Sequence, residues 1–202
     1  MNRRGFLGAA AAVGLVGALP ETSEAALMCG PFVPPGVQQC DVGIASTVAE
    51  VSAPHQYATE WCWAACIEAV FSYYGHRVPQ ARIVAETWGG IVNLPGQPQQ
   101  ILFDLNRPWV DQTGLPFGVV GDILSANAVT AAQDLAQDMP LIIGTMGHAM
   151  VLTRLEYIRD AFGRGQVQRA YVRDPWPGRG FRVLSPQEWL STMFLARIRV
   201  QV

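Results

Sequence analysis

The chain has 202 residues, half of them apolar, with 14 Lys and Arg against 16 Asp and Glu and a net charge of -2. That suffices for one ordinary globular domain. The charge balance argues against a nucleic-acid partner, because no basic stripe exists to neutralise phosphates, and no apolar run long enough to span a bilayer follows the amino terminus.

In chain order, residues 1–27 read as an export signal. Arg3 and Arg4 supply its positive region, residues 6–19 its apolar stretch, and Ser23, Glu24 and Ala25 a small-residue cleavage pattern. The run Asn2-Arg3-Arg4-Gly5-Phe6-Leu7 resembles the twin-arginine signal, whose pathway carries folded proteins, while ordinary secretory signals carry paired Arg too. An exported chain, periplasmic or secreted, is expected, with no membrane contact once the signal is removed. Lipidation at Cys29 is disfavoured by the large Met28 before it. Residues 28–55 read as an N-terminal extension containing a Pro- and Gly-rich loop at residues 30–36, and residues 56–202 as the main domain.

Residues 56–75, QYATEWCWAACIEAVFSYYG, predict an amphipathic helix. Thr59 is its expected N-cap, residues 61–74 contain neither Pro nor Gly, and Gly75 supplies a left-handed stop. Cys62 then falls at about the third helical position, where unpaired backbone N–H groups and the positive end of the helix dipole favour a thiolate over a thiol. Without such surroundings a lone cysteine is a small buried hydrophobe. A second helix is predicted from Pro79 to a stop at Gly89 and Gly90, a third over residues 98–106, and a fourth over residues 128–139 with Thr130 as cap and Pro140 at its end. Strands follow at residues 141–144, 149–157, 167–173, 181–184 and 194–202, the turn at 160–165 joining two of them as a hairpin. Ser185-Pro186-Gln187-Glu188 reads as a capping box opening a short helix through Met193. Helices first and antiparallel strands later make an α+β domain with two lobes.

The chain holds three His residues. His55 and His76 are expected in solvated turns. His148 lies between an apolar run and a strand-like run, with Gly147 before it to allow close backbone approach. Asp174 ends the segment 167–173 and precedes Pro175 and Trp176. On its own an Asp-Pro pair is a plain turn.

Gln56, with Cys62 six positions later followed by Trp63 and Ala64, resembles the papain-like cysteine peptidases. The Cys-Trp-Ala-Ala form, closed by Tyr73, Tyr74 and Gly75, is similar to the compact bacterial branch with its staphopain-like enzymes and plant-pathogen effector proteases. The resemblance implies a two-lobed fold with an N-terminal helical lobe, a C-terminal antiparallel sheet or barrel lobe, and a substrate cleft between them. It implies Cys62 as nucleophile, His148 as general base and Asp174 as the residue that orients the imidazole, where many members have Asn. It further implies Gln56 in the oxyanion hole and Trp63 and Trp176 as shields and packing. Gly89 and Gly90 resemble the substrate-binding glycines of papain, but their spacing is shorter, and a helix stop is the preferred reading. About 30 residues between the signal and Gln56 are too few for a papain-type inhibitory prosegment, so none is expected.

With Cys62 kept free as nucleophile, Cys29, Cys40 and Cys66 can form at most one disulfide. Cys29 with Cys40 would close a loop of about a dozen residues and contribute on the order of 3 kcal/mol. Cys66, one helical turn past Cys62, is expected buried and reduced, a redox link to Cys62 being the alternative. No cofactor or metal is expected, since the His residues lack ligand spacing and no phosphate loop or dinucleotide fingerprint occurs. A peptide or protein is the expected substrate. Two other classes stay open: a Cys-His-Asp amidase or acyl transferase acting on cell-wall material, and a non-catalytic binding module.

Overall fold

The computed structural model describes residues 25–201, so the expected export signal lies almost entirely outside the described residues. The described chain is a mixed α/β structure of six helices and one large antiparallel sheet. The sheet forms around β6 (His148–Asp160), a strand of 13 residues. One edge of β6 pairs over its first half with β5 (Leu141–Thr145) and over its second half with β2 (Val37–Gly43). Its other edge pairs with β7 (Gly165–Asp174), which in turn pairs with β8 (Gly180–Val183). β1 (Ala26–Cys29) extends the sheet beyond β2, while β9 (Thr192–Gln201), β4 (Pro116–Leu124) and β3 (Pro108–Val110) extend it beyond β5.

Because side chains alternate along a strand, the central strands supply two cores at once. Ile142, Ala149, Val151 and Ala196 pack on one face with α2 (Cys62–Tyr73), α3 (Gln80–Trp88) and α4 (Pro98–Leu105). Ile143, Met150, Leu152 and Leu195 pack on the other with α5 (Ala128–Ala136) and with Val42 and Leu155. The helices α1 (Ser46–Val51) and α6 (Pro186–Leu190) are short connections. No helix of the described residues is long and apolar enough to cross a membrane.

Several expectations are corrected. Residues 28–55 are not an appendage: β1 and β2 are strands of the sheet, and Cys29 bonds Cys40 directly across their pair. The strand pattern of β2 was hidden because Gln38 occupies an inward position, where its Nε2 donates to Gly30 O and its Oε1 accepts from Arg159 Nε. β4 was hidden by Gly118 and Gly121; the latter has no Cβ because Leu105 packs against its backbone. Strands therefore both precede and interrupt the helical part, rather than follow it.

The helix ends follow local chemistry. Gly75, at φ +88°, and His76 close α2 by donating to Ser72 O and Phe71 O, the hydrogen-bond pattern of a left-handed C-terminal stop. Gly89, at φ +75°, stops α3 and takes no part in the cleft described below. Asn127, not Thr130, caps α5 by accepting from the N–H groups of Val129 and Thr130. Ser185 and Glu188 form the expected capping box, but α6 ends at Leu190.

If the sheet carries a core on each face, Ile142→Ala and Ile143→Ala should each cost about 2–5 kcal/mol in urea unfolding. Val51→Ala, on an exposed side chain, should stay within about 0.5 kcal/mol. A silent result at either isoleucine would contradict the two-sided packing.

Candidate active site

The sheet hands two side chains to one end of the molecule. β5 and β6 are joined by Met146 and Gly147 alone, both at positive φ (50° and 76°), the backbone of a tight two-residue hairpin. His148 is the first residue after that turn and pairs with Thr145. Gly147 thus serves backbone conformation and not close approach, since an added Cβ there would meet nothing within 4 Å. On the neighbouring strand Asp174 is the last residue of β7, and the register Val151 with Arg173 brings the two ends side by side.

His148 Nε2 donates to Asp174 Oδ1 at 2.7 Å. Asp174 has no exposed side-chain surface, so its charge is sustained by donors: the Trp176 N–H at 2.9 Å on the same oxygen, and Arg182 Nε at 2.8 Å on Oδ2. Burial alone would raise its pKa, but these hydrogen bonds outweigh burial and hold the carboxyl well below the usual range. For His148 burial works towards a lower pKa, and the bonds to Asp174 and to Cys62 overcome it, pushing the imidazole up to about 9. With Nε2 committed to Asp174, the ring nitrogen left for Cys62 is Nδ1.

Cys62 comes to the same point from the helical face. It is the first residue of α2, not the third, because the chain first makes a turn in which Trp61 N–H donates to Ala58 O. Thr59 does not cap the helix; its hydroxyl accepts instead from Asn93 Nδ2. No side chain caps the first turn, so the backbone N–H end of α2 stays open beside the thiol. Cys66, one turn on, is buried and free, and burial foremost raises its pKa.

Between these elements lies a cleft of about 610 Å³. Cys62, Trp63 and residues 95–98 line one side, and residues 144–150 with Trp176 line the other. Trp63 is buried: its indole donates to Leu94 O, and Gly96 lies so close to the ring that a Cβ would stand 2.4 Å from it. Trp61 donates likewise to Val92 O. The two indoles thus hold the loop that forms one wall. Trp176 meets the His148 ring edge-on, centroids 6.3 Å apart, and stays 41% exposed, so it covers the imidazole from one direction only. On the facing wall Phe194 packs against Gly144 so closely that a Cβ there would stand 2.1 Å from its ring.

The structure thus brings Cys62, His148, Asp174, Trp63 and Trp176 together, and leaves Gln56 outside the cleft lining. Gln56 is buried and gives both amide N–H groups away, to Ala58 O at 2.9 Å and Thr59 O at 3.0 Å. In this geometry it offers no donor to an oxyanion and instead fixes the turn that leads into Cys62. His55 is exposed as expected, but His76 is not solvated: it is buried, stacked on Phe117 and bonded through Nδ1 to Asp111 Oδ2. Arg182, Glu188 and the loop at residues 92–97 were missed from sequence. A charged residue inside the strand-like run 181–184 was the available signal for Arg182. Among the described residues no group of three or more His, Cys, Asp and Glu side chains is placed to hold a metal ion.

No family model matches the chain, and no curated protein matches it. Among solved structures it is similar to the peptidase domain of Streptococcus ComA, a bi-functional ABC transporter involved in a quorum sensing pathway. The identity is 16%, the TM-score 0.49, and the match covers 73% of this chain and 96% of that one. It is also similar to a double glycine motif protease from an AMS/PCAT transporter, solved with the leader peptide, at 16% identity and a TM-score of 0.45, covering 73% of this chain and 88% of that one. Neither is a staphopain-like enzyme or an effector protease.

The raised pKa of His148 links the site to stability. Below its ordinary value of 6.5 folded and unfolded chains both hold the proton, and between 6.5 and about 9 the folded chain alone holds it. The contribution is therefore fully present below 6.5 and lost as pH rises through about 9. Urea unfolding across that window should show stability falling, and His148→Gln should remove that part of the fall. An identical slope in the variant would contradict the geometry.

Proposed function

We propose that the chain is an exported cysteine peptidase of papain-like type. The observation that carries this reading is a buried carboxylate bonded to an imidazole that lines the same open cleft as a free thiol at a helix start. Each component answers a chemical need. His148 Nδ1 takes the Cys62 proton, and the sulfur attacks the carbonyl carbon of a peptide lying along the cleft. The oxygen that becomes an anion is stabilised by the backbone N–H of Cys62 at the uncapped start of α2. Collapse of the tetrahedral species breaks the C–N bond, and the imidazolium protonates the departing amine. His148 then draws a proton from water, which attacks the thioester, and the thiol and a carboxylic acid are regenerated.

Asp174 keeps the ring in the tautomer and orientation that present Nδ1 to Cys62. Trp63 holds the wall beside Cys62, and Trp176 limits water at the imidazole edge. Gln56 acts one step back, by ordering the turn before Cys62. Export is supported by the Arg3-Arg4 pair with the apolar stretch behind it, and the Cys29–Cys40 bridge suits an oxidising compartment.

Incubated with a mixed peptide library, the protein should release new amino termini. Cys62→Ala and His148→Ala should each lower kcat/KM by about a thousandfold or more, with Asp174→Ala also strongly impaired. Cleavage that survives Cys62→Ala would end this reading. Release of peptidoglycan fragments with an untouched peptide library would instead favour a wall amidase.

A further inference from the structure

Behind the His148–Asp174 pair the structure continues through two more charged groups. Asp174 Oδ2, the oxygen that the imidazole does not use, accepts from Arg182 Nε at 2.8 Å, with Arg179 Nη1 a further 3.5 Å contact. Arg182 is gripped from its other end by Glu188, through Nη2 to Oε1 at 2.7 Å and Nη1 to Oε2 at 3.1 Å. Glu188 cannot drift away, because it is the N3 residue of the capping box that opens α6 and accepts from the Ser185 N–H at 2.8 Å. Imidazole, carboxylate, guanidinium and carboxylate thus stand in one hydrogen-bonded row behind the cleft that Cys62 lines, alternating in charge when His148 is protonated.

The side chain of Asp174 is fully buried, and a buried carboxylate requires a compensating cation. Three reach it: His148 on Oδ1, and on Oδ2 Arg182 at 2.8 Å and the more exposed Arg179 at 3.5 Å. If the imidazolium were the sole partner, releasing its proton would strand a bare buried anion, and His148 would hold that proton too firmly to give it to a leaving group. A permanent guanidinium on Oδ2 removes that obstacle. We propose that Arg182 is a positioning residue that shares the charge of Asp174 with His148, and that Glu188 sets how large a share Arg182 takes, so that His148 can cycle its proton. This rests on the peptidase reading for its catalytic meaning, although the charge sharing itself does not need it. The groups facing the imidazole are Cys62 from α2, Asp174 from β7, and beyond it Arg179 from the loop after β7, Arg182 from β8 and Glu188 from α6. The Arg182 contact pushes Glu188 down to about 2, in keeping with a tight pair.

The prediction has opposite signs at the two residues. Removing Arg182 leaves Asp174 with the imidazolium and only the longer, solvent-exposed contact from Arg179, and also frees the charge of Glu188, so His148 holds its proton more tightly. Removing the charge of Glu188 gives Arg182 wholly to Asp174, so His148 holds its proton less tightly. With three His in the chain, ring resonances can be assigned by substitution and titrated by NMR in the intact protein. The His148 midpoint should move up from about 9 in Arg182→Gln and down in Glu188→Gln, each by at least about half a pH unit. Arg182→Lys, which keeps the charge and loses the planar fork, should bring the midpoint part of the way back. In peptide cleavage, Arg182→Gln should lower kcat more than it changes KM, and the alkaline limb should follow the midpoint.

Shifts in the same direction in both Gln variants, or a midpoint that does not move while the melting temperature does, would overturn the proposal by reducing Arg182 to a structural tie. If the midpoints move oppositely while no peptide is cleaved by the unmodified chain, charge sharing stands and the peptidase reading alone fails. If peptides are cleaved and the midpoints stay fixed, this inference alone fails.

Discussion

A carboxylate with no exposed surface, bonded at 2.7 Å to an imidazole, is the constraint on which the rest of the site depends. A charge in that position survives only if every donor around it is held in place, and the surrounding elements hold them. β6 and β7 run side by side and deliver His148 and Asp174 at the same end of the sheet. The corner after β7 turns the Trp176 N–H back onto Asp174, and β8 returns Arg182 to the other oxygen. α6, fixed by its capping box, supports Arg182 in turn. Together these contacts keep a buried anion ionised and an imidazole basic.

The thiol reaches this corner from a different layer. α2 is buried along most of its length against the sheet and against α3 and α4, so its first residue has little freedom. The helix start is left without a side-chain cap, which costs stability and leaves backbone donors free where an oxyanion would form. The helix start is held by tertiary contacts in place of a cap: Gln56 ties the preceding turn, while Trp61 and Trp63 tie the loop beside it. The cleft is therefore built from two rigid layers and a loop stapled to one of them.

Much of this was legible in the residues. The Cys-Trp pair at a helix start, the His after an apolar strand and the Asp before Pro and Trp are local signals, and the structure brings those residues together. The helix stops at Gly75 and Gly89 and the capping box at Ser185 were equally local. Lost were features set by partners far along the chain. β2 carries a polar Gln38 where a strand pattern wants an apolar residue, because Arg159 and Gly30 satisfy it. Thr59 reads as a cap by type, yet its hydroxyl accepts from Asn93, distant in sequence, instead. His76 reads as a surface turn residue until Phe117 and Asp111 close over it. Gln56 holds the spacing of an oxyanion donor, but which way an amide points is decided by the carbonyls it meets.

The most direct test of the central claim is a covalent trap. A short peptide bearing an electrophilic ketone would be incubated with the protein, and intact-mass spectrometry followed by peptide mapping would locate and time the adduct. A single adduct on Cys62, formed quickly in the native chain and slowed by orders of magnitude in both His148→Ala and Asp174→Ala, is the predicted result. Labelling of Cys62 at the same rate with and without His148 would show that the thiol, imidazole and carboxylate lie together without acting together, and would contradict the account.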